Sequence, residues 1–210
     1  IVVGRFVGKE ALAAVGSTTS IINMLVGLFA GLSTGASVVI SQCYGARDDQ
    51  KLGYAVHTTI SLTFVMGVLA TGLGVAMVDP MLRLMATPED VFKEAQTYLT
   101  IYFAGVSGLM AYNMGSGILR AVGDSRRPLY FLCFSAVLNT GLDLLFVIRF
   151  GLGVAGVAYA TILSQFLSAA LVLFVLSRDH APYGIRWRRL CLRRDMLMRI
   201  LKIGMPSGVQ

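Results

Sequence analysis

Charge is scarce in this chain of 210 residues, and its distribution excludes most soluble folds. Asp, Glu, Lys and Arg make up only 14% of it, against about 25% in soluble domains. Residues 11–46, 52–78, 95–119, 129–148 and 151–177 contain one charged residue between them, Asp143. The strict alternation that marks the ~9–11-residue strands of a membrane barrel is also missing. No Walker loop is present, which excludes an ATP site on this chain. Two His and three Cys form no HExxH motif or cluster, so no metal site is indicated. No Ser-His-Asp or paired-carboxylate pattern points to an enzyme. The opening Ile1-Val2-Val3-Gly4-Arg5 has no signal-peptide pattern.

What is present is apolar surface, 56% of residues, with a mean hydropathy of +0.72. Each uncharged run meets the ~20 residues that a spanning helix needs. The expectation is an all-α, polytopic membrane bundle with helices at about 12–44, 52–78, 95–119, 128–148 and 152–177. The net charge of +7 is not a nucleic-acid signature, because the cations sit between the runs. Loops 45–51, 120–128 and 178–202 hold thirteen of the eighteen Lys and Arg residues. The positive-inside rule makes these loops cytoplasmic, and the assignment alternates consistently along the chain. A multi-pass protein of the cell (plasma or inner) membrane is expected. Cys43, Cys133 and Cys191 fall in or beside helices and are expected as reduced thiols.

This orientation places Ile1 at the outer face, so Ile1–Val3 reads as the outer end of a preceding helix. Residues 203–210 read as the start of another helix. Residues 1–178 form one unit, 179–202 a basic linker and 203–210 the beginning of a second unit. In the linker, Gly184–Lys202 interleaves seven Arg or Lys residues with apolar ones. It reads as a basic, partly amphipathic segment on the cytoplasmic leaflet, with Trp187 at headgroup level. Thr87-Pro88-Glu89 resembles a helix N-cap with proline at the first helical position.

Gly27, Gly31 and Gly35 share a helix face and predict close approach to a neighbour. Helix sliding during a transport cycle is the functional alternative. His57, near the inner start of its helix, reads as interfacial packing more readily than as a proton relay.

Asp143 is the strongest chemical signal. A carboxylate near the bilayer centre costs roughly 2.5–3.5 kcal/mol on insertion scales, so it marks a candidate ion or substrate site. Asn139 and Asp143 are i and i+4, hence on one helix face. At 1.5 Å per residue they lie about 16 and 22 Å from the inner end, and Thr161 on the following helix lies about 14 Å below the outer surface. The three could converge in the outer half of the bundle. Asn and Thr can hydrogen-bond either protonation state of a carboxyl, so the cluster suits proton binding. The alternative is a hydrated Asp143 near the interface, with Asn139 bonding a neighbouring helix. Asn113, mid-span among glycines, is a further candidate. Asn23, Ser33, Thr34, Gln42, Tyr98, Tyr102 and Gln165 are weaker ones, lining a cavity or joining helices.

The segment Gly115–Pro128, GSGILRAVGDSRRP, resembles the loop after the fourth helix of multidrug and toxic compound extrusion (MATE) transporters. Gly31–Gly45, GLSTGASVVISQCYG, resembles that family's second helix. IVVGRFVGKEALAAVG and LKIGMPSGVQ resemble its first outer loop and the start of its second half. The resemblance implies a twelve-helix protein of two six-helix lobes, of which this chain supplies helices two to six, the interlobe linker and the start of helix seven. The N-terminal helix and the C-terminal lobe are then missing partners of the same protein. It implies an antiporter, coupled to protons or sodium, that exports drugs or other small organic, often cationic, compounds. No cofactor beyond the coupling ion (H+ or Na+) is implied. Asn139, Asp143 and Thr161 match three positions of the N-lobe site of proton-coupled relatives, while the family's helix-one Asp falls before Ile1. Membrane lipids are the other expected partners. A lipid-linked oligosaccharide flippase of the same superfamily is the alternative, and a membrane-embedded lipid-modifying enzyme a more distant one.

Overall fold

A computed structural model describes the backbone over residues 9–179 and 181–209, and the side chains over 18–179 and 181–208. The expected helix end at Ile1–Val3 and the outer-loop segment up to residue 8 lie outside the described residues. Helices run over Lys9–Gly45 (α1), Asp49–Leu84 (α2), Glu89–Ala104 (α3), Val106–Ala121 (α4), Arg126–Leu144 (α5), Gly153–Arg178 (α6) and Arg194–Val209 (α7). A π-turn at Leu145–Arg149 extends α5, and a 3-10 turn at Trp187–Arg189 interrupts the linker. No strand occurs among the described residues.

Among the described residues, α1, α2, α5 with its π-turn, and α6 are each long and apolar enough to cross a membrane. The third uncharged run departs from the single helix expected over 95–119. It forms two helices, α3 and α4, that meet at Gly105. The Gly105 N–H donates to both Ile101 O (3.2 Å) and Tyr102 O (3.1 Å), which tightens the turn there. Ile162 of α6 fills the space where a Cβ on Gly105 would stand. Gly105→Val should therefore destabilise the bundle by about 1–3 kcal/mol. Thermal unfolding in detergent checks this, and Ile162→Ala on the same background should recover part of the loss.

Two further ends differ from the sequence reading. Pro88, not Thr87, occupies the cap position of α3 and makes no side-chain cap bond, while Thr87 Oγ1 is buried without a partner. At the other end, α7 starts at Arg194, well before residue 203. Asp195 in its first turn favours helix there, being negative at the positive end of the helix dipole. Asp48 caps α2 by accepting from the Lys51 N–H (3.0 Å) and pairs with Lys51 Nζ (2.8 Å). Hydrogen bonding from Lys51 holds the Asp48 carboxyl below its ordinary range. This cap is thus complete above the ordinary carboxylate pKa and is lost only as pH falls through the lowered one.

The core centres on α4, whose Val106, Met110, Met114, Ile118 and Leu119 are fully buried. α4 packs against α1, α2 and α6, whereas α5 lies at the periphery, mainly against α6. Ser33 Oγ of α1 donates to Asn113 O (2.7 Å) and Ser37 Oγ to Gly117 O (3.0 Å), so both join α1 to α4. The glycine face of α1 meets α7. A Cβ on Gly31 would stand 2.7 Å from Gly204 O, and one on Gly35 would stand 2.6 Å from Gly204 N. Glycines on both helices, Gly31 and Gly35 against Gly204 and Gly208, thus bring backbone against backbone.

Candidate functional site

Asn113, Asn139 and Thr161 come together around one cavity of about 340 Å³ between α1, α4, α5 and α6. Ser135 and Gln165 add polar groups to its wall, while Val26 and Leu132 supply apolar ones. No Lys or Arg lines it among the described residues. α5 and α6 are antiparallel neighbours because only a tight turn separates them, and Gly151 takes a φ of +63° in that turn. Ser135 Oγ donates to Ser164 O (3.1 Å) and fixes the register of the two helices. Thr161 Oγ1 donates to Val157 O (2.9 Å) and Asn113 Nδ2 to Leu109 O (2.9 Å). Each spends a donor on its own helix and keeps an oxygen that can accept from a solute.

Asp143 does not line this cavity. It sits on α5 one turn beyond Asn139, at the entrance to the π-turn. Its Oδ1 is buried and accepts no hydrogen bond from the described residues. Tyr98 of α3 lies within electrostatic reach of Asp143. Tyr98 and Tyr102 stack with ring centroids 6.3 Å apart, and Tyr102 lies within electrostatic reach of the Gln165 side chain. This tyrosine pair ties α3 to the polar wall of α6. Its signal in the sequence was the i, i+4 spacing of two tyrosines within an uncharged run, which marks a shared face but not what that face meets. The π-turn had no sequence signal. It shows in the Phe150 N–H donating to Leu145 O (3.2 Å) across five residues, and such turns often occur at functional sites.

His57 packs, as its position suggested. Its Nε2 accepts from the Arg186 N–H (3.1 Å), so Nδ1 carries the proton and donates to Gly53 O (2.6 Å). Ser33 joins helices and is fully buried, and Asn23 is exposed. No cluster of metal-ligating residues occurs among the described residues.

A membrane bundle with a polar cavity between helices and a carboxylate one turn away has the form of a solute transporter. The family model described as MatE matches residues 1–145, and the chain belongs to that family, the MATE multidrug transporters. It is 37% identical to the probable multidrug resistance protein YpnP of Bacillus subtilis, covering 99% of this chain and 46% of that protein. A crystal structure of MATE in the bent conformation superposes with a TM-score of 0.93 at 31% identity, over 99% of this chain and 47% of that one. A MOP superfamily transporter from Pyrococcus furiosus, described as having a binding pocket of reverse polarity, superposes with a TM-score of 0.90 at 31% identity, over 99% and 47%. The chain spans about half the length of the curated relatives it matches. These relatives are transporters rather than enzymes, and the chain is an integral membrane protein.

Proposed function

We propose that this chain forms the ion-binding half of an antiporter that exports small organic, mostly cationic compounds by alternating access. The observation that carries the reading is the buried Asp143 Oδ1, without a partner among the described residues, one turn from the cavity of Asn139, Thr161 and Asn113. In this reading the coupling ion is H+, bound at Asp143, since one carboxylate is enough to hold a proton; Na+ is the alternative that the gradients below distinguish. Protonation removes the buried charge, and the α5–π-turn segment with Tyr98 can then repack. Substrate occupies the cavity below, against the oxygens of Asn139 and Thr161. The wall, polar and without Lys or Arg among the described residues, suits cationic or neutral solutes better than an oligosaccharide pyrophosphate.

The test is uptake of a cationic fluorescent dye into proteoliposomes containing the intact gene product, under an imposed pH gradient, a sodium gradient or neither. The reading expects movement driven by the pH gradient. Movement driven by sodium alone would move coupling away from Asp143. In the same assay, Asn139→Leu and Thr161→Val should raise the dye concentration for half-maximal transport about 5–30-fold, through loss of one or two hydrogen bonds.

A further inference from the structure

The basic linker is part of the fold, not a loose tether. The Arg186 N–H is held by His57, the Arg193 N–H donates to Thr58 Oγ1 (3.3 Å), and the Ile185 N–H donates to Leu176 O (2.9 Å). Ile185 itself is buried. The Arg193 guanidinium lies over the Tyr54 ring, 4.3 Å from its centroid. Between this fixed linker and the first turns of α2 lies a cleft of about 420 Å³. Arg186 and Arg189 line it, with Asp49, Gln50, Tyr54 and His57 on the α2 side. Arg127 and Arg193 are engaged in ion pairs, but Arg186 and Arg189 form none among the described residues.

We propose that this cleft binds the headgroup of an anionic glycerophospholipid, with Arg186 and Arg189 as its phosphate ligands. Guanidinium groups match phosphate oxygens bidentately, and a fixed backbone reduces the ordering cost of binding. Asp49, the one carboxylate of the wall, pairs with neither arginine and faces an incoming headgroup as an acceptor. It suits a headgroup that carries hydroxyls, as in phosphatidylglycerol.

A membrane lipid, rather than a soluble phosphate, follows from what adjoins the cleft. Trp187 stands between the two arginines in the chain and is 48% exposed. Its ring centroid is 6.2 Å from that of Phe64. Phe64, Val65, Val68 and Leu69 form a continuous exposed apolar face of α2 inside an uncharged run. An acyl chain lying along this face ends at Trp187, which places its phosphate at the arginines. The inference does not rest on the transport reading.

The test is native mass spectrometry of the intact gene product, delipidated in detergent and titrated with phosphatidylglycerol or phosphatidylcholine. Phosphatidylglycerol should bind saturably and more tightly than phosphatidylcholine. Arg186→Gln with Arg189→Gln should weaken it about thirtyfold. Replacing both by Lys should recover only part of the binding, since it keeps the charge and loses the bidentate geometry. The control pair Arg188→Gln with Arg194→Gln, outside the cleft, should cost at most about threefold, because exposed charges at that distance are screened. Arg189→Glu alone serves as a second variant should the double one fold poorly, and it should also lose affinity. Equal losses in cleft and control variants would overturn the site, as would equal affinity for the two lipids. Displacement of phosphatidylglycerol by millimolar inorganic phosphate would overturn the lipid assignment.

Discussion

Asp143→Asn should leave a folded protein that exchanges substrate for substrate across the bilayer but no longer concentrates it against a pH gradient. The change keeps the shape of the side chain and removes its capacity to titrate. The buried Oδ1 has no partner among the described residues, so the substitution breaks no hydrogen bond there. It also removes the desolvation cost of a charge at membrane depth, so folded yield should be unchanged or higher. Gradient-driven accumulation should fall about 5–150-fold, the range expected when the coupling between two sites is lost. Paired measurements of accumulation and counterflow check this. Equal loss of both would mean that Asp143 binds substrate rather than couples the ion.

Gly31→Leu should have the largest effect on folding. A Cβ at position 31 meets the backbone of Gly208 and Gly204, and backbone cannot swing aside as a side chain can. The helices must separate, which costs at least about 3 kcal/mol by the usual scale of overpacking. Gly35→Leu should behave in the same way, since Ile200 and Gly204 stand against it. Gly72 lies in α2 with nothing within 4 Å of an added Cβ. Gly72→Ala should therefore be neutral or stabilising by about 1 kcal/mol through helix propensity. Monodisperse yield and unfolding temperature in detergent, compared across the three variants, decide the matter. A Gly31→Leu protein as stable as the parent would mean that α7 does not cross α1 at this point.

The two positions also show what the sequence could and could not reveal. Glycines at i, i+4 and i+8 mark one smooth face of α1 from local information alone. That this face meets Gly204 and Gly208, more than 160 residues away, is a property of the tertiary fold and has no local signal. Asn139 and Thr161 were legible because helix periodicity and a short α5–α6 connection fix their neighbourhood. Asp143 shares a face with Asn139 by the same periodicity, yet it falls outside the cavity. The rim of a cavity depends on the surrounding helices, which periodicity does not describe. The break at Gly105 escaped detection for a related reason. Glycine inside an apolar run is common in membrane helices, and the shared bond of the Gly105 N–H to Ile101 O and Tyr102 O has no local signal. The charge pattern, by contrast, needed no tertiary knowledge. Uncharged runs separated by charged loops, alternately rich and poor in Lys and Arg, outline the spans before any packing is considered.

Under the proposed antiport, the cavity and the carboxylate are two linked sites. The polar oxygens of Asn139 and Thr161 lie along the cavity, while Asp143 stands one turn beyond. In the proposed antiport, ion and substrate would occupy adjacent positions on α5, so each would bias the conformation that the other prefers. Linkage then requires that substrate binding alter the protonation of Asp143 by as much as protonation alters substrate affinity.

Proton release on substrate binding tests this most directly. The intact gene product, in weakly buffered detergent solution with a pH-sensitive dye, is titrated with a cationic substrate near neutral pH. The account predicts release of up to about one proton per substrate bound, as expected for a single titrating site. The same titration of Asp143→Asn should release none while substrate still binds. Equal release from both proteins, or binding without release from the parent, would contradict a coupling role for Asp143.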